Sequence, residues 1–519
     1  MNFLDRAISF FSPSWGYKRE AWRRALGTGG YDGARFGRNN ATWHPLDGTG
    51  EMVNRGARKM LRSRARDLER NSDVTGAIIN ALERNVIGHG FNFQAETEDE
   101  KFNDLIEQLW KEWQKPRNCD VTGQQSFREI LKMAVDRIVV DGGIIIVKTY
   151  TGNPRFPFQL QCRDIDDLNA MGMIKNPDTG NLICDGIELD KYNKPVAYYL
   201  TSTNANGMIN PKPVRVEAQR IIYLWQKKRP SEYREISGLS RIMDRIHDLY
   251  DYMKSVGFMQ KILASICVFI KRTLPDVMPS IGRNPQQKTP DGTPTQRIRP
   301  GEMFSLAPGE DVSTLVPSGQ AAEAAAYCTH QQRMAAASCG LSLEATARDV
   351  SQVNYSSARQ NLLADDATYS DWQMYLIEHC LDEVLSEFVI SCWLAGTILS
   401  KVTSINELKD KYMIYKFIPQ GMPWIDPVKE ATGNKILMET GQTTLRDICS
   451  KSGKDWKEVL RQLAAEKKMK EELGIMEVGN NGKNASIISG LEGSGEEGTG
   501  SGSGNVQQGK EDSYLLVRI

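Results

Sequence analysis

The chain has no net charge: 65 Lys and Arg residues stand against 65 Asp and Glu. That balance excludes a uniformly basic coat for nucleic acid and leaves only local patches. The nine cysteines (Cys119, Cys162, Cys184, Cys267, Cys328, Cys339, Cys380, Cys392 and Cys449) are odd in number and include no CxxC pair. This excludes a disulfide scaffold and points to a reduced, cytosolic folding environment. Several fall on apolar helical faces, where free cysteine packs as a small hydrophobe. Long apolar runs are missing. Ile144–Val147 is representative, far short of the ~20 residues that a membrane-spanning helix needs. The N-terminus lacks the basic-then-apolar pattern of a secretion signal.

Catalytic signatures are equally scarce. A phosphate-binding loop needs GxxxxGK followed by Ser or Thr. The nearest fragment, Ser452-Gly-Lys-Asp455, lacks the first glycine and ends in Asp. There is no HExxH and no GxSxG, and the histidines (His44, His89, His247, His330, His379) stand far apart. Asp164-Ile-Asp166-Asp167 is an acidic cluster with the composition of a metal site. Without a second carboxylate group it reads as a polar turn. No catalytic residue, metal or cofactor is expected.

The remaining composition, 40% hydrophobic and 25% charged over 519 residues, supplies two or three ordinary cores. Residues 1–50 hold many Gly, Asn, Trp and Arg without periodicity and read as an extended arm. Helical patterning starts near Arg55 and continues through Leu68, Val74, Ile78, Leu82 and Val86 to Gly88-His-Gly90. Arg55, Arg58, Lys59, Arg62, Arg64, Arg66 and Arg70 crowd its first part. They form either a solvated face or a surface for nucleic acid or an acidic neighbour. Helices follow over 100–115 and Phe127–Val139. Asp141-Gly-Gly143 is a turn that launches the strand Ile144–Tyr150. Short strands are expected at Phe158–Cys162, Ile187–Leu189, Ala197–Leu200 and Arg220–Leu224, with a hairpin turn at Asp190–Lys194. Residues 55–235 are thus α+β, helices first and a mainly antiparallel sheet after.

Gly238-Leu-Ser240 caps a further helix, and residues 273–300, rich in proline and glycine, read as a projecting excursion. Short strands near Ala264–Phe269, Met303–Leu306 and Val312–Val316 border it. The alanine-rich helix Gln320–Cys339 stops at Gly340. Its slimness suits close packing against neighbouring subunits or burial within one chain. The polar segment Leu341–Tyr355 separates it from a helix over Ser356–Ala395, roughly 60 Å long. On that helix Trp372, Leu376, Cys380, Val384, Phe388 and Cys392 form one row, and Ile377, Leu381, Leu385, Val389 and Trp393 the adjacent one. Tyr412–Ile418 reads as a strand. Helices follow from Pro427 toward Thr440, from Thr443 or Thr444 to Lys451, and from Asp455 to Leu473. Residues 479–511, dominated by Gly, Ser, Glu and Asn, read as disordered. Helix, exposed loop and longer helix, with no catalytic set, describe an assembly component that holds a loop into a channel.

Several stretches carry a more specific resemblance. They are Arg64-Ala-Arg-Asp-Leu-Glu-Arg-Asn71 with Ile87-Gly88, Asp141-Gly-Gly143 before its strand, and Gly186-Ile-Glu-Leu-Asp190 leading to Ala197-Tyr-Tyr199. Arg299-Pro-Gly-Glu302, Leu306-Ala-Pro-Gly309, Gly340-Leu-Ser-Leu-Glu344 with Tyr355-Ser-Ser-Ala-Arg359, and Trp424-Ile-Asp-Pro427 followed by Gly441 complete the set. In this order and spacing they resemble the lambda-like portal proteins of tailed bacteriophages, over roughly residues 50–475.

The resemblance implies an α+β portal-type subunit assembling into a ring, typically of twelve copies, at one capsid vertex. It implies an N-terminal arm (1–50), a wing (51–237 and 356–430), a stem of two helices (238–263 and 320–339) and a clip (264–319). A tunnel loop (340–355), crown helices (431–475) and a disordered Gly/Ser/Glu-rich tail (476–519) complete the layout. Glu344, Arg348, Asp349, Gln352 and Asn354 would face double-stranded DNA without sequence preference, in a channel for packaging and ejection. Lys271, Arg272, Arg283, Lys288, Arg297 and Arg299 would give the clip a locally basic surface, for DNA, for acidic partners, or simply for solvation. The implied partners are terminase, head-completion or adaptor proteins, and major capsid and scaffolding proteins. The implied location is the virion's portal vertex, after assembly in the host cytoplasm. The competing readings are another head–tail connector or minor capsid component, and a metal-dependent nucleic-acid-processing enzyme built on Asp164, Asp166 and Asp167.

Overall fold

A computed structural model describes residues 15, 45–168, 172–201, 212–264, 268–272, 310–314, 321–351, 353–398, 402, 404–421 and 427–473. The chain divides into two compact units, Met1–Asp455 and Trp456–Ile519.

The first unit opens with α1 (Gly50–Asn71), capped by Thr49, whose side chain accepts from the Met52 N–H. The sequence suggests one helix from here to Val86, but Ser72 breaks it. The Ser72 N–H bonds back to the Leu68 carbonyl, while its side chain accepts from the Thr75 N–H and starts α2 (Asp73–Leu82). A serine oxygen so placed competes with the helical ladder and favours a cap. A π-helical turn, Glu83–Ile87, then runs into Gly88. The carbonyls of Asn85 and Val86 in that turn are met by the Gln373 side-chain amide, at 3.3 Å each.

Strand β1 (Asn92–Ala95) leads to α3 (Glu100–Trp113), a single turn α4 (Pro116–Cys119) and α5 (Phe127–Val140). A reciprocal Ser126–Glu129 capping box fixes the start of α5. Next comes a three-stranded antiparallel sheet in the order β3-β2-β9, made of β2 (Gly143–Tyr150), β3 (Phe158–Arg163) and β9 (Ile221–Trp225). Gly142 turns the chain into β2 at φ +95, where a Cβ would lie 2.5 Å from the Ile236 carbonyl carbon. Between β3 and β9 runs a five-stranded antiparallel meander: β4 (Met173–Lys175), β5 (Leu182–Cys184), β6 (Ile187–Leu189), β7 (Pro195–Leu200) and β8 (Val214–Glu217). Its expected hairpin closes from Asp190 to Lys194, with Asn193 at φ 62.

After a 3-10 turn at Gly238–Arg241 come α6 (Met243–Ala264), the antiparallel strands β10 (Val268–Arg272) and β11 (Glu310–Thr314), and α7 (Ala321–Ser338). Tyr252 meets Tyr327 edge-on at 4.8 Å, and Arg245 hydrogen-bonds Gln331, so α6 and α7 run antiparallel. In α6 the last buried side chain, among those described, is Leu249. Lys271 and Arg272 lie on β10 in register with Asp311 and Glu310. The expected strand at Met303–Leu306 and the cations Arg283, Lys288, Arg297 and Arg299 lie outside the described residues.

The long helix is present as α9 (Tyr355–Leu376), a π turn (Ile377–Leu381) and α10 (Asp382–Leu394), preceded by the short α8 (Leu343–Ala347). Its two apolar rows hold: Leu376, Cys380, Leu381, Val384, Leu385, Phe388, Val389 and Cys392 are buried. The expected strand from Tyr412 is shorter. Tyr412 ends a helix, α11 (Ile405–Tyr412), and the strand β12 is Tyr415–Ile418, paired antiparallel with β1. Two helices, α12 (Pro427–Glu439) and α13 (Leu445–Lys451), follow, the latter with a Thr444–Asp447 capping box. The second unit contains α14 (Trp456–Glu472), none of whose side chains is buried.

An aromatic cluster ties the main core together. Trp110 and Trp113 stack at 4.9 Å. Phe388 meets both, at 5.2 and 5.4 Å, and Phe158 stacks on Trp113 at 5.7 Å. The Trp113 indole N–H donates to the Phe158 carbonyl at 2.9 Å, which satisfies the one polar atom such a ring carries inward. Eight of the cysteines lie among the described residues and all are free. Burial pushes the Cys119, Cys162 and Cys392 thiols up to about 12, so they stay protonated and act as packing groups.

Candidate functional site

The junction between α7 and α9 is built residue by residue. The N–H groups of Gly340 and Leu341 bond back to the Ala337 and Ala336 carbonyls, both at 3.0 Å, the pattern of a glycine-ended helix. Gly340 sits at φ +75, and a Cβ there would lie 2.9 Å from the Thr368 Oγ1. Leu341 then turns inward and is buried. Ser342 follows, and Asp365 on α9 grips it twice, accepting from its N–H at 2.7 Å and from its hydroxyl at 2.6 Å. The same Ser342 oxygen accepts from the Ala345 N–H and caps α8. One turn along α9, the Thr368 hydroxyl donates to the Gly340 carbonyl at 2.7 Å. Burial raises the Asp365 carboxyl, and the two bonds from Ser342 partly counter it.

The polar segment is therefore only partly a loop. Its first five residues after Ser342 are the helix α8, too short to leave a periodic signature. Glu344 belongs to that helix, and its carboxylate accepts from the Asn361 side chain at 3.1 Å. Arg348 ends the helix at φ 55, with its N–H on the Glu344 carbonyl. Arg348, Asp349, Val350 and Ser351 are exposed. The Asp349 carboxylate accepts from the Ser351 N–H and is lowered by that residue's hydroxyl and N–H. Asn354 caps α9 by accepting from the Ser357 N–H at 2.9 Å. Gln352 lies outside the described residues. The structure thus brings Arg348 and Asp349 together at an exposed tip, while at its two feet Glu344 is held by Asn361 and the exposed Asn354 caps α9.

Beside this tip lies a groove of about 920 Å³, lined by α2, the π turn, the start of α5 and α8. Arg84, Arg128 and Lys132 project along it, with Arg348 at its edge and Asp73 and Glu83 among its walls. Gly88 closes one end at φ +46, where a Cβ would coincide with the Gln420 side-chain oxygen, which accepts from the His89 N–H at 2.8 Å. Below the groove, burial and the neighbouring Glu83 carboxyl push the Asp136 carboxyl up to about 8. Sequence reasoning did not group these residues, because they come from four separate segments.

The basic stretch of α1 divides in two: Arg55, Lys59, Arg64 and Arg70 are exposed, as a solvated face would have them, while Arg58, Arg62 and Arg66 turn into the fold. Arg58 is buried and pairs with Glu51 at 2.6 Å and Asp185 at 3.3 Å. Arg62 is buried between Glu235 and Asp166, and Arg66 reaches Asp141 at 2.7 Å and Asp166. Arg234 joins at 3.1 Å from Glu235, and the Tyr223 hydroxyl donates to the same carboxylate. Burial alone would raise Glu235. The Arg234 and Arg62 guanidiniums outweigh it and hold the carboxyl below its usual range. The acidic cluster after β3 belongs to this lattice. Asp166 is bound by two guanidiniums and Asp167 by Arg163 at 2.6 Å, on a 3-10 turn at Ile165–Asp167. Among the described residues no group of three or more His, Cys, Asp and Glu is placed to hold a metal ion, and no helix is long and apolar enough to cross a membrane.

The family model described as phage portal protein, lambda family, matches residues 36–373. The probable portal protein of Halomonas phage phiHAP-1 is 25% identical over 459 residues, covering 85% of this chain and 87% of that protein. Portal protein B of Escherichia phage lambda is 20% identical over 496 residues, covering 85% and 90%. Among solved structures, a chain from the neck of a native gene transfer agent particle, computed with C12 symmetry, covers 78% of this chain and 92% of its own. Its identity is 11% and its TM-score 0.40.

Proposed function

Because the chain belongs to the lambda family of phage portal proteins, we propose that its copies form a ring, with twelve as the expected number, around an axial channel for double-stranded DNA. The ring sits at one vertex of the phage head, within the virion. It passes DNA inward during packaging and outward during ejection, without reading its sequence. In this reading 51–237 and 356–430 build the wing, α6 and α7 the stem, 264–319 the clip and 431–475 the crown. The clip docks terminase during packaging and head-completion or adaptor proteins afterwards. Major capsid and scaffolding proteins surround the ring during assembly in the host cytoplasm.

The observation that carries the reading is the junction. Asp365 and Thr368 clamp its base to the long helix, while Arg348, Asp349, Val350 and Ser351 stand exposed beyond it. A segment anchored at both feet and free at the tip suits a channel constriction. Neighbouring Arg348 and Asp349 give that tip offsetting charges, and a conduit for sliding DNA must not hold phosphates tightly. The exposed stem fits as well. Tyr250, Met253, Phe258 and Met334 are large apolar side chains left open along α6 and α7, as expected of surfaces that neighbours cover.

Negative-stain electron microscopy of the purified protein tests the ring. Rings with a central hole and roughly twelvefold symmetry are expected, and a persistent monomer or dimer refutes the reading. Deleting 349–353 tests the loop: rings should still form while DNA packaging or retention fails. Loss of ring formation would place the segment in the structural core instead.

A further inference from the structure

The groove beside the junction gathers several cations in one place. Arg58, Arg62, Arg66, Arg137, Arg163 and Arg234 each meet a carboxylate of the same chain. Arg84, Arg128, Lys132 and Arg348 share the groove, and none of them forms an ion pair with another described residue. Set against Asp73 and Glu83, four cations leave the groove with a net charge of +2.

A second groove, of about 840 Å³, carries the opposite pattern. Its walls are Thr97–Lys101 at the start of α3 and Asp410–Ile414 at the end of α11. Glu98, Asp99, Glu100 and Asp410 face Lys101 and Lys411, for a net charge of −2. Lys411 is already turned toward Glu407 at 3.2 Å.

The ribbon β1–β12 separates the two. It pairs from Asn92 with Ile418 at one end to Ala95 with Tyr415 at the other. Gly88, His89 and Gln420, at the margin of the basic groove, flank the first end. Thr97 and Ile414, in the acidic groove, flank the second. Four paired residues span ~10 Å or more before the flanking loops are counted. One chain therefore cannot bring its own grooves together. A second copy placed head to tail can, and a contact of that kind, repeated with a rotation that closes, makes a ring.

We propose that the basic groove of one copy receives the acidic segment 98–100 and Asp410 of the next, so that Arg84, Arg128 and Lys132 set the direction and spacing of neighbours. The proposal rests on the ring reading and adds to it a specific contact between subunits. Complementary potentials of this kind fix register and suppress wrong pairings.

The test uses two variants of the full chain, Arg84→Glu with Arg128→Glu, and Glu98→Lys with Glu100→Lys. Each alone sets like charges against each other at every contact. The concentration for half-assembly, read by sedimentation velocity and electron microscopy, should rise at least about tenfold. Mixed in equal amounts they should assemble again, because every contact between unlike copies then joins opposite charges. That rescue also shows that both variants fold. The proposal is overturned if each variant alone forms rings as the unaltered chain does, or if the mixture fails to recover. A groove variant that assembles normally but loses affinity for duplex DNA overturns it in favour of a phosphate backbone as occupant. An unaltered chain that never forms rings removes the ring reading and this contact together, whereas rings indifferent to the charge swaps remove only the contact.

Discussion

Glu235→Gln is the most demanding perturbation of the charge lattice under α1. The Glu235 side chain is fully buried and accepts from Arg62, Arg234 and Tyr223. The amide keeps the size but removes the charge that both guanidiniums face. It also places an N–H₂ where only acceptors belong. Breaking a buried pair by removing one partner costs about 3–5 kcal/mol, because the other charge stays buried and uncompensated. Asp166→Asn is the internal control. Its side chain also meets two guanidiniums but is 49% exposed, so water takes over and the loss should be about 0–1 kcal/mol. Equilibrium urea unfolding of the unassembled subunit, followed by tryptophan fluorescence, measures both, since Trp110 and Trp113 sit in the main core. The Glu235 effect should also depend on pH. Its folded carboxyl is depressed, so its contribution is full above the unfolded value of ~4.3 and fades as the solution is acidified through the lower folded value. The gap between Glu235→Gln and the unaltered chain should therefore narrow below pH 4. Equal losses for the two variants, or a loss below about 1 kcal/mol for Glu235→Gln, would refute the claim that burial turns these contacts from decoration into structure.

Three further outcomes follow from single sites. Asp365→Ala removes both bonds to Ser342 and should cost about 1.5–3 kcal/mol; limited proteolysis should then cut faster at 348–354, and unchanged cutting would show that the junction does not depend on this clamp. Asp136→Asn should raise the melting temperature most at pH 9, and the gain should shrink as pH falls and vanish below pH 4. With the folded carboxyl at about 8, stability is full below the unfolded value of ~3.9 and is lost as pH rises from there to 8, and an amide has no proton to lose. Gly340→Ala should destabilise by about 1–3 kcal/mol, because φ is +75 and the added methyl meets Thr368 at 2.9 Å; Thr368→Ser in the same chain should recover part of that loss, since the methyl at 3.1 Å is then gone.

The elements legible in the sequence are those whose cause lies within a few residues. The helix over Phe127–Val139, the Asp141-Gly-Gly143 turn, the Asp190–Lys194 hairpin and the apolar rows of the long helix are set by neighbours along the chain. The elements that escaped depend on distant partners. Strand β1 is four residues long, has no clear alternation, and exists because Tyr415–Ile418 pairs with it. The seven cations of 55–70 look the same whether solvated or paired. Arg58, Arg62 and Arg66 are set apart by Asp141, Asp166, Asp185 and Glu235, which distant segments bring to them, while Lys59, Arg64 and Arg70 stay exposed. The same rule sorts the junction. Glu344 and Asp349 are alike as sequence, but Glu344 has Asn361 beside it and Asp349 has only its own loop. Charge type therefore names candidates, and the distant partner decides which remain free to act. By that criterion Arg348 and Asp349 stay with the exposed tip, Glu344 passes to its scaffold, and Arg84, Arg128 and Lys132, which line the groove beside the tip, stay free to meet a partner.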